Sequence, residues 1–422
     1  MDICNGKVVV SILYHHVKDI NEGTIGEIVT PPWNFRTALA LANLGKCKTV
    51  AIRPTLLNRY VIRVINNVLV ILIPYKNWKM GRLDNILKIT DKITNVSSSF
   101  LKQDISNIVD ILNIIRKKQP DNLIIYTHEY KNIRYFNIYR KYKDEIFIFQ
   151  QHSRKPFSKN LSSIFKVYNL RRLTKSGYFV LSRYEKEILE SLMPNQLVKL
   201  RPMGIDTQRI PFVNSNIKYD IRQKMGIPLD KIIISTYVSS PIFMHNNLYD
   251  VKGSHFLPYI IKYINSIMRD KIIFFVFNVS NEFKYFLENK FDNVKVFPYL
   301  PHEQFMRYLA TSDLYFLPAH KDHRYTGITI AVVEAMAMGL PVVSPTLIHL
   351  PDLRIVNRVG VITRYLETTE DALVFARRLL QAVESIESFD PTTSRRISET
   401  YYSWESFIKD FQETIKILLN NN

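Results

Sequence analysis

At 422 residues the chain is long enough for two domains of ordinary size. Its 46% hydrophobic and 12% aromatic content, with no repeat and no low-complexity tract, excludes a disordered or fibrous protein. The formal net charge is +19, and it is unevenly placed: residues 1 to 205 hold 33 Lys and Arg against 15 Asp and Glu, or +18, while the remainder holds 24 against 23.

The amino terminus, "MDICNGKVVVSILYHH", has no basic segment followed by a continuous apolar run, so no secretory signal is expected. Cys4 and Cys47 match no metal spacing and are too few for a disulfide framework; the expectation is two inert thiols in a reducing compartment, the cytoplasm. Further on, "VIRVINNVLVILIPY" is too short to span a membrane and is broken by Arg63, Asn66 and Asn67, which predicts two buried strand pieces.

Short β-branched and aromatic runs then alternate with helical patterns. In the first half these runs are "KVVVSILYH", "KTVAIRP", "NLIIYTH", "EIFIFQQH" and "GYFVLS". One amphipathic helix is predicted with Leu101, Ile105, Ile108, Leu112 and Ile115 on one face. After "RPMGIDTQRIPF" the alternation restarts with "KIIISTYVS", "KIIFFVFNV", "VKVFPYL", "DLYFLPA", "PVVSP" and "VGVIT". Two Rossmann-like, doubly wound α/β domains follow, over 1–205 and 206–395, with a closing helix over 396–422. Ligands of such sheets bind beyond the carboxyl ends of the strands, which places the site in the cleft between the two.

Two constellations point into that cleft. The loop "KDHRYTG" follows the strand "DLYFLPA" and leads into an apolar helix starting near Gly327, whose free amides suit a phosphate or sugar hydroxyl. Glu334 lies about two turns into that helix among small and apolar neighbours, where a carboxylate holds two adjacent hydroxyls by paired hydrogen bonds. Earlier, "IIISTYVS" runs into the polar loop "SPIFMHNNLYD" and then "VKGSHFLPYI". There Lys252 and Gly253 begin a helix, a cation beside a close backbone approach, as a diphosphate requires.

The segments "LRPMGIDTQRIPF", "VKGSHFLPYI", "VFPYLPHEQFMRYLATSDLYFLPA" and "TGITIAVVEAMAMGLPVVSP", in that order, resemble the retaining glycosyltransferases of family 4 with the GT-B fold, the glycogen-synthase-like enzymes. "FQQHS", "FVLSRYEKEILE" and "SWESF" extend the resemblance, which begins near residue 120 and is most specific over 313–345. It implies two facing Rossmann-like domains, a final helix that crosses back to the first, and a nucleotide-diphosphate sugar as donor. It further implies that Glu334 holds the ribose hydroxyls and that Lys252 neutralises the diphosphate, with Gly253 beside it. Thr326, Gly327, Ile328 and Thr329 would lie against the sugar and diphosphate, and His152 would reach the sugar from the first domain. Gly204 and Asp206 would mark the crossing, with Gly204 also among the donor-binding residues. No metal or cofactor is implied, since lysine and helix ends do the work of a divalent ion.

Three positions depart from the family pattern. The first of its paired acids is Thr326 here. Asn247, with His245 and Asn246 beside it, stands where the family has an Arg, so either Lys321, Arg324 or Arg201 supplies that charge, or the donor differs from the common uridine diphosphate sugars, or activity is reduced. The Gly-Gly loop is replaced by "NEGTIGEIVTPPWNF", which keeps Gly23 and Gly26. The acceptor, a glycan that is lipid-linked or protein-linked, would meet the first domain near Trp33 and Arg36. The basic half would lie against an anionic membrane, with the enzyme peripheral at its inner face. Two alternatives stay open: a catalytically weakened scaffold of the same fold, and a basic protein that binds nucleic acid or another polyanion.

Overall fold

The computed structural model describes residues 4, 6–12, 33–55, 61–74, 112–113, 115–117, 123–127, 136–150, 167–168, 170–244 and 247–420. Eight strands form the first sheet: β1 (Val8–Ile12), β2 (Lys48–Thr55), β3 (Val61–Ile65), β4 (Val68–Pro74), β5 (Leu123–Thr127), β6 (Ile146–Gln150), β7 (Ser176–Val180) and β8 (Leu197–Leu200). Their order is β3-β4-β2-β1-β5-β6-β7-β8. Strands β1, β5, β6 and β7 are buried at every position, which is why they read as continuous apolar runs rather than alternating ones. Around them lie α1 (Trp33–Asn43), α2 (Phe136–Lys141) and α3 (Arg183–Leu192).

Two expectations are corrected here, and a third is described only in part. The pieces in "VIRVINNVLVILIPY" pair antiparallel, through a turn in which Asn66 and Asn67 both have positive φ (46° and 68°). The second strand buries Val68 and Val70, but β3 is an edge strand whose Val64 is 72% exposed. Cys4 and Cys47 are not free thiols: they form a disulfide, with Cα atoms 5.6 Å apart. Of the helix expected over 101–115, residues 101–111 lie outside the described residues, while 112, 113 and 115 are helical.

The second sheet contains β9 (Ile232–Tyr237), β12 (Ile272–Phe277), β13 (Val294–Phe297), β14 (Leu314–Phe316), β15 (Val342–Val343) and β16 (Gly360–Val361). All its pairings are parallel, in the order β13-β12-β9-β14-β15-β16. Counted among themselves these strands run 3-2-1-4-5-6, the dinucleotide-binding arrangement, with its switch point between β9 and β14. The loop read as polar, 240–250, instead carries a small antiparallel hairpin, β10 (Ile242–Met244) with β11 (Asn247–Tyr249). The helices that follow are α4 (Ser215–Met225), α5 (Leu257–Met268), α6 (Asn281–Lys290), α7 (His302–Leu309), α8 (Ile330–Ala337), α9 (Val356–Val359) and α10 (Thr369–Glu384).

The chain ends in two helices where one was expected, α11 (Pro391–Tyr402) and α12 (Trp404–Asn420), broken at the extended residue Ser403. Helix α11 belongs to the second unit: Arg395 donates to the carbonyls of Thr207, Ile210 and Ala337 at 2.6, 2.6 and 2.9 Å. Helix α12 covers the first sheet, with Phe407 packed 5.8 Å from Phe179 and Phe411 packed 5.9 Å from Tyr126, ring to ring. The two crossings lie side by side, since Ile205 N–H donates to Tyr402 O (2.7 Å) and Trp404 N–H to Ile205 O (3.2 Å). A second contact joins the units at the start of α3. The backbone N–H of Arg183 donates to His349 Nδ1 (3.3 Å), and its guanidinium donates to the carbonyls of Ile348, Leu350 and Pro351. Among the described residues no helix is long and apolar enough to cross a membrane.

Candidate functional site

The carboxyl ends of β9, β13 and β14 bring the candidate residues together. Strand β9 ends at Tyr237, whose N–H donates to Tyr315 Oη on β14 at 3.2 Å. Glu334 is buried on α8, a helix whose neighbours Val332, Val333, Ala335 and Met336 are buried as well. Its Oε1 lies 2.7 Å from His302 Nε2, at the start of α7 after β13. Burial first, then Tyr299 and the negative charge of Glu334, push the Tyr237 hydroxyl up to about 12. Lys252 Nζ sits 4.6 Å above the centre of the Tyr237 ring. Tyr237 therefore feels the charge of a buried carboxylate and carries a lysine ammonium over its ring.

Backbone geometry fixes the lysine. Asp250 Oδ2 accepts from the N–H groups of Ser239 (3.4 Å) and Ser254 (3.2 Å), and the Asp250 N–H donates to His255 Nδ1 (3.1 Å). Burial and then the neighbouring His320 hold His255 down, at about 4, so it is a neutral acceptor. Gly253 has φ 81°, and a Cβ built there would lie 1.7 Å from Pro318 O. Only glycine lets the Lys252 loop touch the chain leaving β14. The helix expected at Lys252 begins later, as a 3₁₀ turn over Ser254–Phe256 that runs into α5.

Between β14 and α8 the chain makes a second 3₁₀ turn, Lys321–Tyr325, and α8 starts only after Thr329, whose hydroxyl accepts from Val332 N–H at 3.4 Å. Thr326 Oγ1 is buried with no hydrogen-bond partner among the described residues. Gly327 has φ 74°, and its Cβ would lie 1.9 Å from Leu181 O, at the end of β7. The loop Thr326, Gly327, Ile328, Thr329 is thus pressed directly on the first unit.

The remaining candidates divide. Lys321 pairs with Glu367 Oε2 at 2.5 Å. Arg324 is exposed, with its guanidinium 4.7 Å from the centre of the Tyr325 ring. Arg201 and Gly204 lie at the crossing between the units. Arg201 is 4% exposed; its Nε lies 3.2 Å from Asp410 Oδ2, and it donates to the carbonyls of Tyr401 and Ser403. Burial lowers it to about 10, against the opposing pull of Asp410. Gly204 is pressed on the Trp404 ring, 2.4 Å from where a Cβ would stand. Both serve the joint between the units, because the returning α12 takes their space. Asp206 lies near this crossing and pairs with Arg209 at 3.2 Å. Arg36 is half-buried on α1. His152, His245, Asn246, Gly23 and Gly26, and the side chains of Trp33 and Asn247, lie outside the described residues. Among the described residues no cluster of His, Cys, Asp and Glu is arranged to hold a metal ion. Sequence reasoning missed His302 and Tyr237. Their only signal was position, Tyr237 at the carboxyl end of β9 beside the switch point and His302 in the loop-to-helix start after the edge strand β13.

Residues 246–385 match the family described as glycosyl transferases group 1. The amylovoran biosynthesis glycosyltransferase AmsK of Erwinia amylovora is 42% identical over 64 residues, a match that spans 15% of this chain and 16% of that protein. Sucrose-phosphate synthase of Thermosynechococcus elongatus superposes with a TM-score of 0.68 at 14% identity, covering 99% of this chain and 100% of that one. Anabaena HepE in complex with UDP-glucose gives a TM-score of 0.59 at 12% identity, covering 97% and 100%. Architecture and segment agree: the chain has the two-unit GT-B fold, and its second unit carries the group 1 glycosyltransferase segment.

Proposed function

We propose that the protein transfers a sugar from a nucleotide-diphosphate sugar to a glycan or lipid-linked acceptor, with retention of anomeric configuration. One observation carries this reading: a buried carboxylate, Glu334, whose charge bears on Tyr237, and a lysine, Lys252, over the same ring, come together beside the switch point of a 3-2-1-4-5-6 parallel sheet. A nucleoside diphosphate has the matching pair of groups, a diol and a dianionic phosphate chain. Glu334 accepts from the two ribose hydroxyls. Lys252 and the backbone amides about Gly327 and the start of α8 take the charge that develops on the departing diphosphate. Thr326, whose buried hydroxyl has no partner among the described residues, lies against the transferring sugar in this reading, in place of an acid. Arg324 is better placed than Lys321 to add positive charge, because Lys321 is held by Glu367. His152 is assigned to the sugar side from the first unit. Catalysis then consists mainly of holding the acceptor hydroxyl against the anomeric carbon on the face the diphosphate leaves. The +18 charge of residues 1–205 supports an anionic surface or acceptor on that side. The bound UDP-glucose of HepE supports the donor class.

The test is thermal stabilisation by nucleoside diphosphates and their sugars, on the wild type and on Glu334→Ala and Lys252→Ala. A base-selective rise in melting temperature, lost in both variants, is expected, since a ligand that binds only the native state stabilises it. No rise with any nucleotide, in well-folded protein, would leave the catalytically weakened scaffold as the better reading.

A further inference from the structure

Glu334 lies on a helix packed by apolar residues, and a carboxylate buried in such a place needs hydrogen-bond donors. His302 is such a donor. Its Nε2 is 2.7 Å from Glu334 Oε1, and its side chain is 34% exposed against 5% for the glutamate. The two residues come from different crossovers, His302 from the one after β13 and Glu334 from the one after β14.

We propose that His302 is a positioning residue for the nucleotide ribose, fixing the Glu334 carboxylate so that its remaining lone pairs face the two hydroxyls. This deepens the donor reading above and rests on it.

The stoichiometry fits. An ionised carboxylate offers about four acceptor positions; the imidazole takes one and a diol takes two, so histidine and ribose bind together rather than compete. Without the histidine, the terminal torsion of a glutamate is broad and roughly two-fold, and α8 fixes only its backbone. The contact does not require a charged ring, because Nε2–H donates in one neutral tautomer and in the imidazolium alike. His302 stands at the first position of α7. The ring itself is held in place: it lies 6.4 Å from Phe305, which packs 5.1 Å from Tyr237, centre to centre. The same phenylalanine therefore supports both the histidine on Glu334 and the tyrosine beneath Lys252.

A purely structural role, in which His302 only solvates a buried acid, predicts something different, and the nucleotide's own hydroxyls separate the two. The experiment is calorimetric titration of uridine, adenosine and guanosine diphosphates, each beside its 2′,3′-dideoxy counterpart. It is run on the wild type, His302→Ala, His302→Gln and Glu334→Ala, with folding checked by thermal melts. His302→Ala should weaken binding of the preferred ribose nucleotide about tenfold and leave its dideoxy counterpart unchanged, and His302→Gln, which keeps a donor, should recover most of the loss. Equal losses on both nucleotides, or no loss on either, would overturn the proposal. Loss of ribose preference in Glu334→Ala but not in His302→Ala would overturn it while leaving the donor reading standing. Absence of nucleotide binding by the wild type, or a ribose preference that survives Glu334→Ala, would remove both.

Discussion

A single methyl group measures how closely the two loops at the switch point approach. At Gly253 it would meet Pro318 O at 1.7 Å and hold a side chain at φ 81°. We expect Gly253→Ala to lower the unfolding free energy by about 2 kcal/mol or more, visible as a fall in melting temperature and in denaturant midpoint. An unchanged melt would mean that the two loops do not touch. At this scale the sequence was readable where chemistry and position coincide. Glu334 is an acid in an apolar helix and Lys252 a cation beside a glycine, so both stand out. His302 does not, because "LPHEQF" reads as an ordinary helix start and its partner is 32 residues away. The surroundings of Arg201 and Gly204 were hidden for the opposite reason. Their local sequence suits a ligand loop, and only the return of a helix two hundred residues later shows what occupies them.

Helix α3 begins as a capped helix, Ser182 Oγ accepting from Glu185 N–H at 3.0 Å, and its first residue, Arg183, ties it to residues 348–351 of the other unit. His349 is fully buried in that contact, and burial and then Arg183 hold it down at about 3, below its ordinary 6.5. The native state therefore binds fewer protons than the unfolded one between those values. The stability this residue confers is complete above pH 6.5 and is lost as pH falls through the window toward 3. We expect the melting temperature to drop as pH is lowered from 7 to 5, and His349→Gln to drop less steeply; equal slopes would show that the histidine does not control the joint. The long strands were legible because β-branched runs of five or six residues admit little else. Strand β8, with only "LVKL", and the β10–β11 hairpin, surrounded by Pro, His and Asn, gave no pattern above that of a loop.

Over the whole molecule, the alternation of strands and helices was enough to reveal two doubly wound units. Which residues join the units was not, since that depends on contacts between residues far apart in sequence, such as Arg183 with 348–351. The charge asymmetry of +18 against +1 adds an expectation at this scale. The protein should float with vesicles of anionic phospholipid at low salt, less at about 0.15 M, and not with neutral vesicles. Failure to float in either salt would remove the membrane from the proposed reaction.

The paired crossings at Ile205 and Ser403 have a consequence for synthesis. Because α12 supplies Phe407, Phe411 and Ile415 to the face of the first sheet that holds Tyr126 and Phe179, the second unit is threaded as a guest within the first. That greasy face is ready when residue 200 emerges, yet its cover is made some two hundred residues later. At about 5–20 residues per second, the nascent chain carries it uncovered for roughly ten to forty seconds. The guest, whose strands lie wholly between the crossings, can close its own sheet during that wait, so the domain begun first is the one finished last.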